Sequence, residues 1–298
     1  IITGMVAIYS VIDLRNRSQL FISVGFILLA YSVSYLSFAF LHEGELEKIE
    51  WVNLGWFGGN ALLTLFAFPL IYIYERLFGF VSEVSLMELS DLNTPLLRDL
   101  SLKAPGTFQH SMQVANLAEA AADAVGVNAL RARVGALYHD IGKMLKPEYY
   151  IENQQPGENP HDRITPNMSA LIISEHVKVG VEMGREHRLP RVILDFIPAH
   201  HGTGLMEYFY NRANEQREEG SPPVDPAEFR YPGPRPITAE QAIVMLADSV
   251  EAASRSLEKP TPRRLEALID KMFRARFDDG QLALAPLTLA DLTRVRDT

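Results

Sequence analysis

Seven side chains in this chain of 298 residues have the chemistry of metal ligands: His110, the neighbours His139 and Asp140, His176, the adjacent pair His200 and His201, and Asp248. Imidazole nitrogens and carboxylate oxygens make a borderline ligand set, and with no cysteine in the chain no thiolate competes. Seven ligands exceed what one ion takes and suit two, which predicts a dinuclear hydrolase. Singly, each has a plainer reading. A lone histidine on an apolar helix is more often a satisfied core residue, and Asp248 could be a cap or an ion-pair partner. Jointly they are harder to account for. His110, the His139–Asp140 pair and Asp248 fall on three different predicted helices, set among AEAAADAV, GALYHDIG and VMLADSVEAA. An unpaired polar group on such faces is costly to bury. Four ionisable groups entering one core need a common partner, and a divalent cation is the simplest. His176 shows the same habit in ALIISEHVKVG, and His200-His201 sits between Pro198 and Gly202, where a disturbed helix end can aim both rings one way. A structural metal site is the bland alternative, but such sites are usually closed and mononuclear.

The elements that must position these ligands read as helices. Thr107 predicts a cap for a helix running to Val125, ended by Gly126; Asn128 caps the next, running to Gly142. Thr165-Pro166 opens a helix to about His187, Pro190 opens one reaching His200, and Thr238 to Gln241 spells a capping box ahead of Asp248. Thr261-Pro262 and Thr288 open the last two. No alternating strand pattern and no internal repeat occur, so the polar region is expected to be all-α. Residues 203–237 stand apart, with six prolines and the charged run NEQREEG, and read as a solvated excursion or a lid.

Mean hydropathy near zero hides two unlike parts. Residues 18–41 and 51–74 are each 24 residues without a charge. At ~1.5 Å per residue either run reaches ~36 Å, enough to cross a hydrocarbon core of about 30 Å. Residues 1–12 read as the tail of a further span, and the start at Ile1 suggests a fragment of a longer membrane protein. Arg15 and Arg17 precede the first full run, whereas residues 41–51 hold Lys48 against four glutamates. Lys/Arg excess marks the cytoplasmic side, and Glu75-Arg76 emerges on the side of Arg15 two spans later, so the polar region is expected in the cytoplasm. The expected organisation is transmembrane helices over 1–76 (part of a bundle), a connector over 77–104, and a catalytic domain over 105–298. The net charge of −9 argues against a DNA or RNA polymer as partner but allows a small phosphorylated substrate.

The order His, His-Asp, Asp is similar to the signature of the HD phosphohydrolase superfamily. LSLKAPGTFQHS, YHDIGK, NPHDRITPNMSALIISEH, HHGTG, FRYPGPRP and MLADSVEAASRS closely resemble the bacterial seven-transmembrane HD family, the PgpH-type phosphodiesterases of cyclic di-AMP. The resemblance is strong over residues ~85–298, and the preceding spans fit that family's membrane bundle. It implies an all-α chain: the C-terminal part of a transmembrane bundle followed by a cytoplasmic α-helical HD domain, in a multi-pass protein of the cell membrane. It also implies that His110, His139, Asp140 and Asp248 hold one ion and that Asp140, His176, His200 and His201 hold the other, with Asp140 bridging. Cyclic di-GMP enzymes of the HD-GYP kind follow the histidine pair with Glu and then GYP; here Gly202-Thr203-Gly204 follows and no GYP occurs. That departure favours cyclic di-AMP by resemblance alone.

The expected reaction is hydrolysis of cyclic di-AMP to linear 5′-pApA by a hydroxide bridging two iron or manganese ions. Lys143, one turn past His139-Asp140, could contact a phosphate oxygen or protonate the leaving 3′ oxygen; equally it could be a helix C-terminal lysine favoured by the dipole. His161 and Arg163 are weaker substrate candidates. Arg230, Tyr231 and Arg235 could stack on adenine or bind phosphate, or pin their loop to the bundle. His187 and His42 are read as surface residues. Competing readings are another HD phosphohydrolase, acting on cyclic di-GMP or a nucleotide, and a nucleotide-sensing membrane receptor without turnover. The sequence leaves a homodimer open.

Overall fold

The computed structural model describes residues 1–298 except 12–16, 45–49, 156, 158, 219 and 258. Arg15 and Lys48, on which the charge argument for orientation leans, lie outside the described residues. The chain divides into two compact units, Ile1–Ser85 and Leu86–Thr298.

The first unit holds helices α1 (Ile2–Val11), α2 (Arg17–Glu43), α3 (Val52–Leu63) and α4 (Ala67–Phe78). Large apolar side chains such as Phe21, Phe26, Leu29, Trp56 and Leu62 are exposed, as expected of helices that meet lipid rather than water. Within α2, Phe21–His42 is long and apolar enough to cross a membrane, and it is the sole such helix among the described residues. Tyr31 of α2 stacks on Phe57 of α3 with ring centroids 5.0 Å apart. The second expected span is not one helix. A 3-10 turn, Thr64–Phe66, separates α3 from α4. Pro69 accounts for the break, since a proline has no N–H to offer the carbonyl four residues back. Thr64 Oγ1 also donates to the Ala61 carbonyl at 2.6 Å. Both carboxylate oxygens of Glu75 then accept bonds, from Ser82 N (2.6 Å) and Ser85 Oγ (2.9 Å), at the start of α5 (Glu83–Leu89).

The stretch 77–104, expected as a connector, crosses the boundary between the two units. Leu86 on α5, and Leu96, Leu97 and Leu100 on α6 (Pro95–Lys103), are buried, so contacts tie these residues to the second unit. That unit continues with α7 (Pro105–Val125), α8 (Ala129–Tyr138), α9 (Pro166–Glu186), α10 (Arg191–Leu194), α11 (Phe196–Ala199), α12 (Glu207–Glu215), α13 (Ala239–Ser254), α14 (Pro262–Asp278) and α15 (Leu289–Asp297). No strand occurs among the described residues; one isolated antiparallel bridge joins Leu205 and Arg230.

Most caps read from sequence are in place. Asn128 accepts from Arg131 N, Thr165 from Met168 N and Thr261 from Arg264 N, and reciprocal capping boxes form at Thr238/Gln241 and Thr288/Asp291. Thr107 is an exception. The helix starts two residues earlier, at Pro105, and the Thr107 hydroxyl instead donates to Glu152 Oε1 at 2.9 Å. The helix after Asn128 also stops early, at Tyr138, and the segment from Pro190 to His200 divides into α10 and α11.

Small residues set the spacing of the bundle. A methyl on Gly135 would fall 2.4 Å from the Phe196 ring, so α8 and α11 touch backbone to side chain. One on Gly142 would fall 1.9 Å from the His176 carbonyl oxygen, so the segment after Asp140 lies directly on α9. The proline-rich excursion is anchored: Met206, Phe209 and Phe229 form a buried cluster with Ala170 of α9.

Candidate metal centre

His139 is the C-cap of α8, and Asp140 follows at φ −112°, ψ 14°, before a 3-10 turn over Ile141–Leu145. This region of backbone space is sparsely populated and recurs at functional sites. Leaving the α-helix here lets two consecutive side chains point into one core. His110 comes from α7, His176 from α9, His200 and His201 from the end of α11, and Asp248 from α13. All except His201, which is partly exposed, are buried.

Three imidazoles are oriented by one device. Nδ1 of His139, His176 and His200 donates to the carbonyl three residues back: Ala136 (2.6 Å), Ile173 (2.5 Å) and Ile197 (2.6 Å). A carbonyl only accepts, so Nδ1 carries a proton and Nε2 is the atom turned inward as the candidate ligand. His110 is oriented differently, by a very short contact between Nδ1 and Glu251 Oε2, while Arg255 donates to the other Glu251 oxygen at 2.6 and 2.9 Å. Such outer carboxylates fix the tautomer and raise the basicity of a ligating histidine.

Asp140 divides its two oxygens between two groups of histidines. Oδ2 lies 3.2 Å from His139 Nε2 and 3.6 Å from His110 Nε2; Oδ1 lies 3.4 Å from His176 Nε2 and 3.5 Å from His200 Nε2. Asp248 Oδ1 is 2.9 Å from His110 Nε2, and its Oδ2 is 3.8 Å from His201 Nδ1. Ligand atoms of Asp140, His176, His200 and His201 lie within 4.8 Å of one another, as do those of His110, His139 and Asp140. Asp140 Oδ1 and His139 Nε2 are buried without a hydrogen-bond partner among the described residues, and Asp140 Oδ2 has only the Lys143 ammonium, 2.7 Å away. An orphaned buried polar group costs about 1–3 kcal/mol, more when charged. A buried donor set of imidazole and carboxylate, with Asp140 Oδ1 and His139 Nε2 left unpartnered at its centre, fits divalent cations.

The electrostatics carry the same demand for positive charge. Burial pushes the Asp140 carboxyl upward, but His139 and Lys143 outweigh it and hold it well below the usual range. Burial likewise opposes ionisation of Asp248, and the hydrogen bond from His110, with His139 close by, overrides it and holds the carboxyl well below its usual range. His139 is driven the other way, up to about 10, because the Asp140 charge outweighs burial. His176 is pushed down to about 3, chiefly by burial, and stays neutral. Lys143 Nζ lies 2.7 Å from Asp140 Oδ2 and 3.0 Å from Glu152 Oε1; burial works against its charge, yet these carboxylates hold it well above the ordinary lysine value.

A cavity of about 850 Å³ opens on the cluster, reaching His110, His176, His201 and Asp248. Lys143, His161 and Tyr231 also line it, and Tyr231 stacks on His201 with centroids 4.0 Å apart. His161 is buried rather than a solvated loop histidine, with Nε2 2.9 Å from the Tyr149 carbonyl. The other substrate candidates face elsewhere. Arg163 is exposed and outside the cavity wall. Arg230 grips Asp279 through both terminal nitrogens (2.9 and 3.2 Å) and donates to the Thr203 carbonyl; Arg235 Nε donates to Thr203 Oγ1 at 3.1 Å. They pin the loop that carries Tyr231. His42 and His187 are exposed at helix ends. Sequence reasoning missed Glu152, Glu251 and Arg276. Glu251 had a signal, sitting three residues beyond Asp248 on the same helical face. Glu152 lies in a single 3-10 turn, Ile151–Asn153, and Arg276 on a charged amphipathic helix, where nothing local marks them.

Comparison with known proteins places this geometry. Residues 107–253 match the HD domain family, and residues 1–82 match the family described as a 7TM receptor with intracellular HD hydrolase. The chain is 41% identical over its whole length to the cyclic-di-AMP phosphodiesterase PgpH of Listeria monocytogenes. It is 39% identical over 95% of its length to the PgpH of Bacillus subtilis. It spans about two fifths of the length of these relatives, 41% and 39%. The crystal structure of the L. monocytogenes PgpH HD domain in complex with cyclic-di-AMP superposes with a TM-score of 0.66 at 48% identity, over 69% of this chain and 94% of that one.

Proposed function

The chain belongs to the HD-domain family that includes PgpH, and on that premise we propose that it hydrolyses cyclic di-AMP to linear 5′-pApA at a dinuclear metal site. The observation that carries the proposal is Asp140, whose two oxygens face separate histidine groups. His110, His139, Asp140 and Asp248 would hold one cation; Asp140, His176, His200 and His201 would hold the other. Iron or manganese suits such donors. Two bound cations would supply positive charge for the phosphoryl oxygens and lower the pKa of a water.

The protein's own groups do the rest. Carbonyl-anchored Nδ1 atoms keep the inward nitrogens from rotating, so little reorganisation is needed as charge develops at phosphorus. Lys143 is positively charged beside the cluster and at the cavity wall, placed to contact a non-bridging oxygen or to give a proton to the departing 3′ oxygen as the P–O bond breaks. Tyr231, stacked on His201 and facing the cavity, offers a ring surface to a base, with His161 further along the wall. We assign Arg230 and Arg235 to holding Tyr231 in place.

The family match over residues 1–82 and the apolar helix α2 support a membrane location. We further propose a multi-pass arrangement with the metal-binding unit in the cytoplasm, supported by Glu75-Arg76 following the second apolar run. The test is a substrate panel of cyclic di-AMP, cyclic di-GMP and deoxynucleoside triphosphates with manganese- or iron-loaded protein. The expected result is pApA from the first alone; faster turnover of either other class overturns the assignment.

A further inference from the structure

A cyclic dinucleotide carries two phosphodiesters, and a metal cluster can engage only one at a time. The second brings another negative charge into the same cavity. Three cations other than histidine line that cavity: Lys143, Arg255 and Arg276. Lys143 is bound between Asp140 and Glu152, and Arg255 gives both Nε and a terminal nitrogen to Glu251. Arg276 is different. Its Nε donates to the Ser249 hydroxyl at 2.9 Å, and that hydroxyl passes its own proton to the Met245 carbonyl at 2.8 Å. Among the described residues no carboxylate lies within ion-pair distance of Arg276, whose charge acts on Asp279 only from further off, and its terminal nitrogens make no hydrogen bond there.

We propose that Arg276 binds the second, unreacting phosphodiester of the substrate, and so selects two-phosphate ligands over simple diesters. Ser249 holds it at the wall beside Asp248, its neighbour in sequence and a predicted metal ligand. This fixes the half-buried guanidinium at the cavity wall rather than in bulk solvent. Its planar fork suits a phosphate better than a point charge does. Room for it is made by Gly204: a methyl there would lie 3.0 Å from the His201 carbonyl oxygen and 3.1 Å from Nη1 of Arg276. The Gly-Thr-Gly that follows the histidine pair thereby acquires a physical role, leaving space for a cation arriving from α14. The inference rests on the cyclic dinucleotide reading above.

The test uses the full chain, metal-loaded, as Arg276→Gln and Arg276→Lys. Each is assayed on cyclic di-AMP and on bis(p-nitrophenyl) phosphate, a diester with a single phosphate. For Arg276→Gln, kcat/KM on the dinucleotide should fall about 30-fold, mainly through KM, with a loss on the simple diester at least tenfold smaller. Arg276→Lys should recover part of the difference. Metal content and Tm close to those of the parent would show that the fold is intact. Equal losses on both substrates, or no loss on the dinucleotide, overturn the inference while leaving the functional reading standing. A parent protein that cleaves the simple diester but no cyclic dinucleotide defeats the functional reading, and the inference with it.

Discussion

Asp140 is the residue on which both ligand groups converge, and its neighbours predict how the site responds to protons. Without metal, His139 is raised to about 10 because the Asp140 charge outweighs burial, against 6.5 for an ordinary imidazole. Its contribution to stability is therefore complete below pH 6.5 and lost as pH rises toward about 10. His176, pushed down to about 3 mainly by burial, runs the opposite way. The unfolded chain takes up that proton as pH falls from 6.5 toward about 3, and stability drops. Chelated protein should thus show its highest Tm near pH 6.5, and manganese, by displacing the His139 proton, should abolish the alkaline decline. Identical pH profiles with and without metal would refute this. Glu251→Gln removes the charge facing His110 and Arg255 and should weaken metal binding about 10- to 100-fold in a chelator competition. An unchanged affinity would leave Glu251 a mere packing residue. The seven residues that the structure brings together were singled out in the sequence by their joint placement and by the family resemblance. The supporting shell was not, since Glu152 and Arg276 reach the site only through tertiary packing.

At the scale of elements, the site depends on where helices stop. Caps such as Asn128, Thr165 and Thr238 are local chemistry, and the sequence displayed them. The end of α8 at Tyr138 is not local: the segment after Asp140 turns 3-10 as it lies against α9, with no room for a side chain at Gly142. Gly142→Ala should force α9 away and carry His176 from Asp140. The expected cost is about 1–3 kcal/mol for overpacking, with loss of metal from the His176, His200 and His201 group. Denaturant unfolding together with metal analysis checks it, and a stable, fully loaded variant would contradict the packing argument. The break between α3 and α4 shows the converse limit. Pro69 was visible, but an uncharged run of 24 residues reads as one span whether or not a proline interrupts it.

At the scale of the molecule, two units follow from two compositions, one apolar outside and one with a buried polar cluster. Residues 86–298 expressed alone should stay in solution and bind metal as the full chain does, whereas residues 1–85 should partition with membranes. Aggregation of the larger unit on its own would show that it needs the helices before it. The chain reads as an enzyme because a shared carboxylate joins two sets of imidazoles beneath a cavity large enough for a nucleotide. The most direct test is metal content of the full chain and of Asp140→Asn after manganese or iron loading, with cyclic di-AMP turnover measured on the same samples. Two equivalents and pApA formation in the parent, with both ions and turnover lost together in Asp140→Asn, is the predicted result. One equivalent in the parent, or loss of a single ion in the variant with turnover retained, would contradict it.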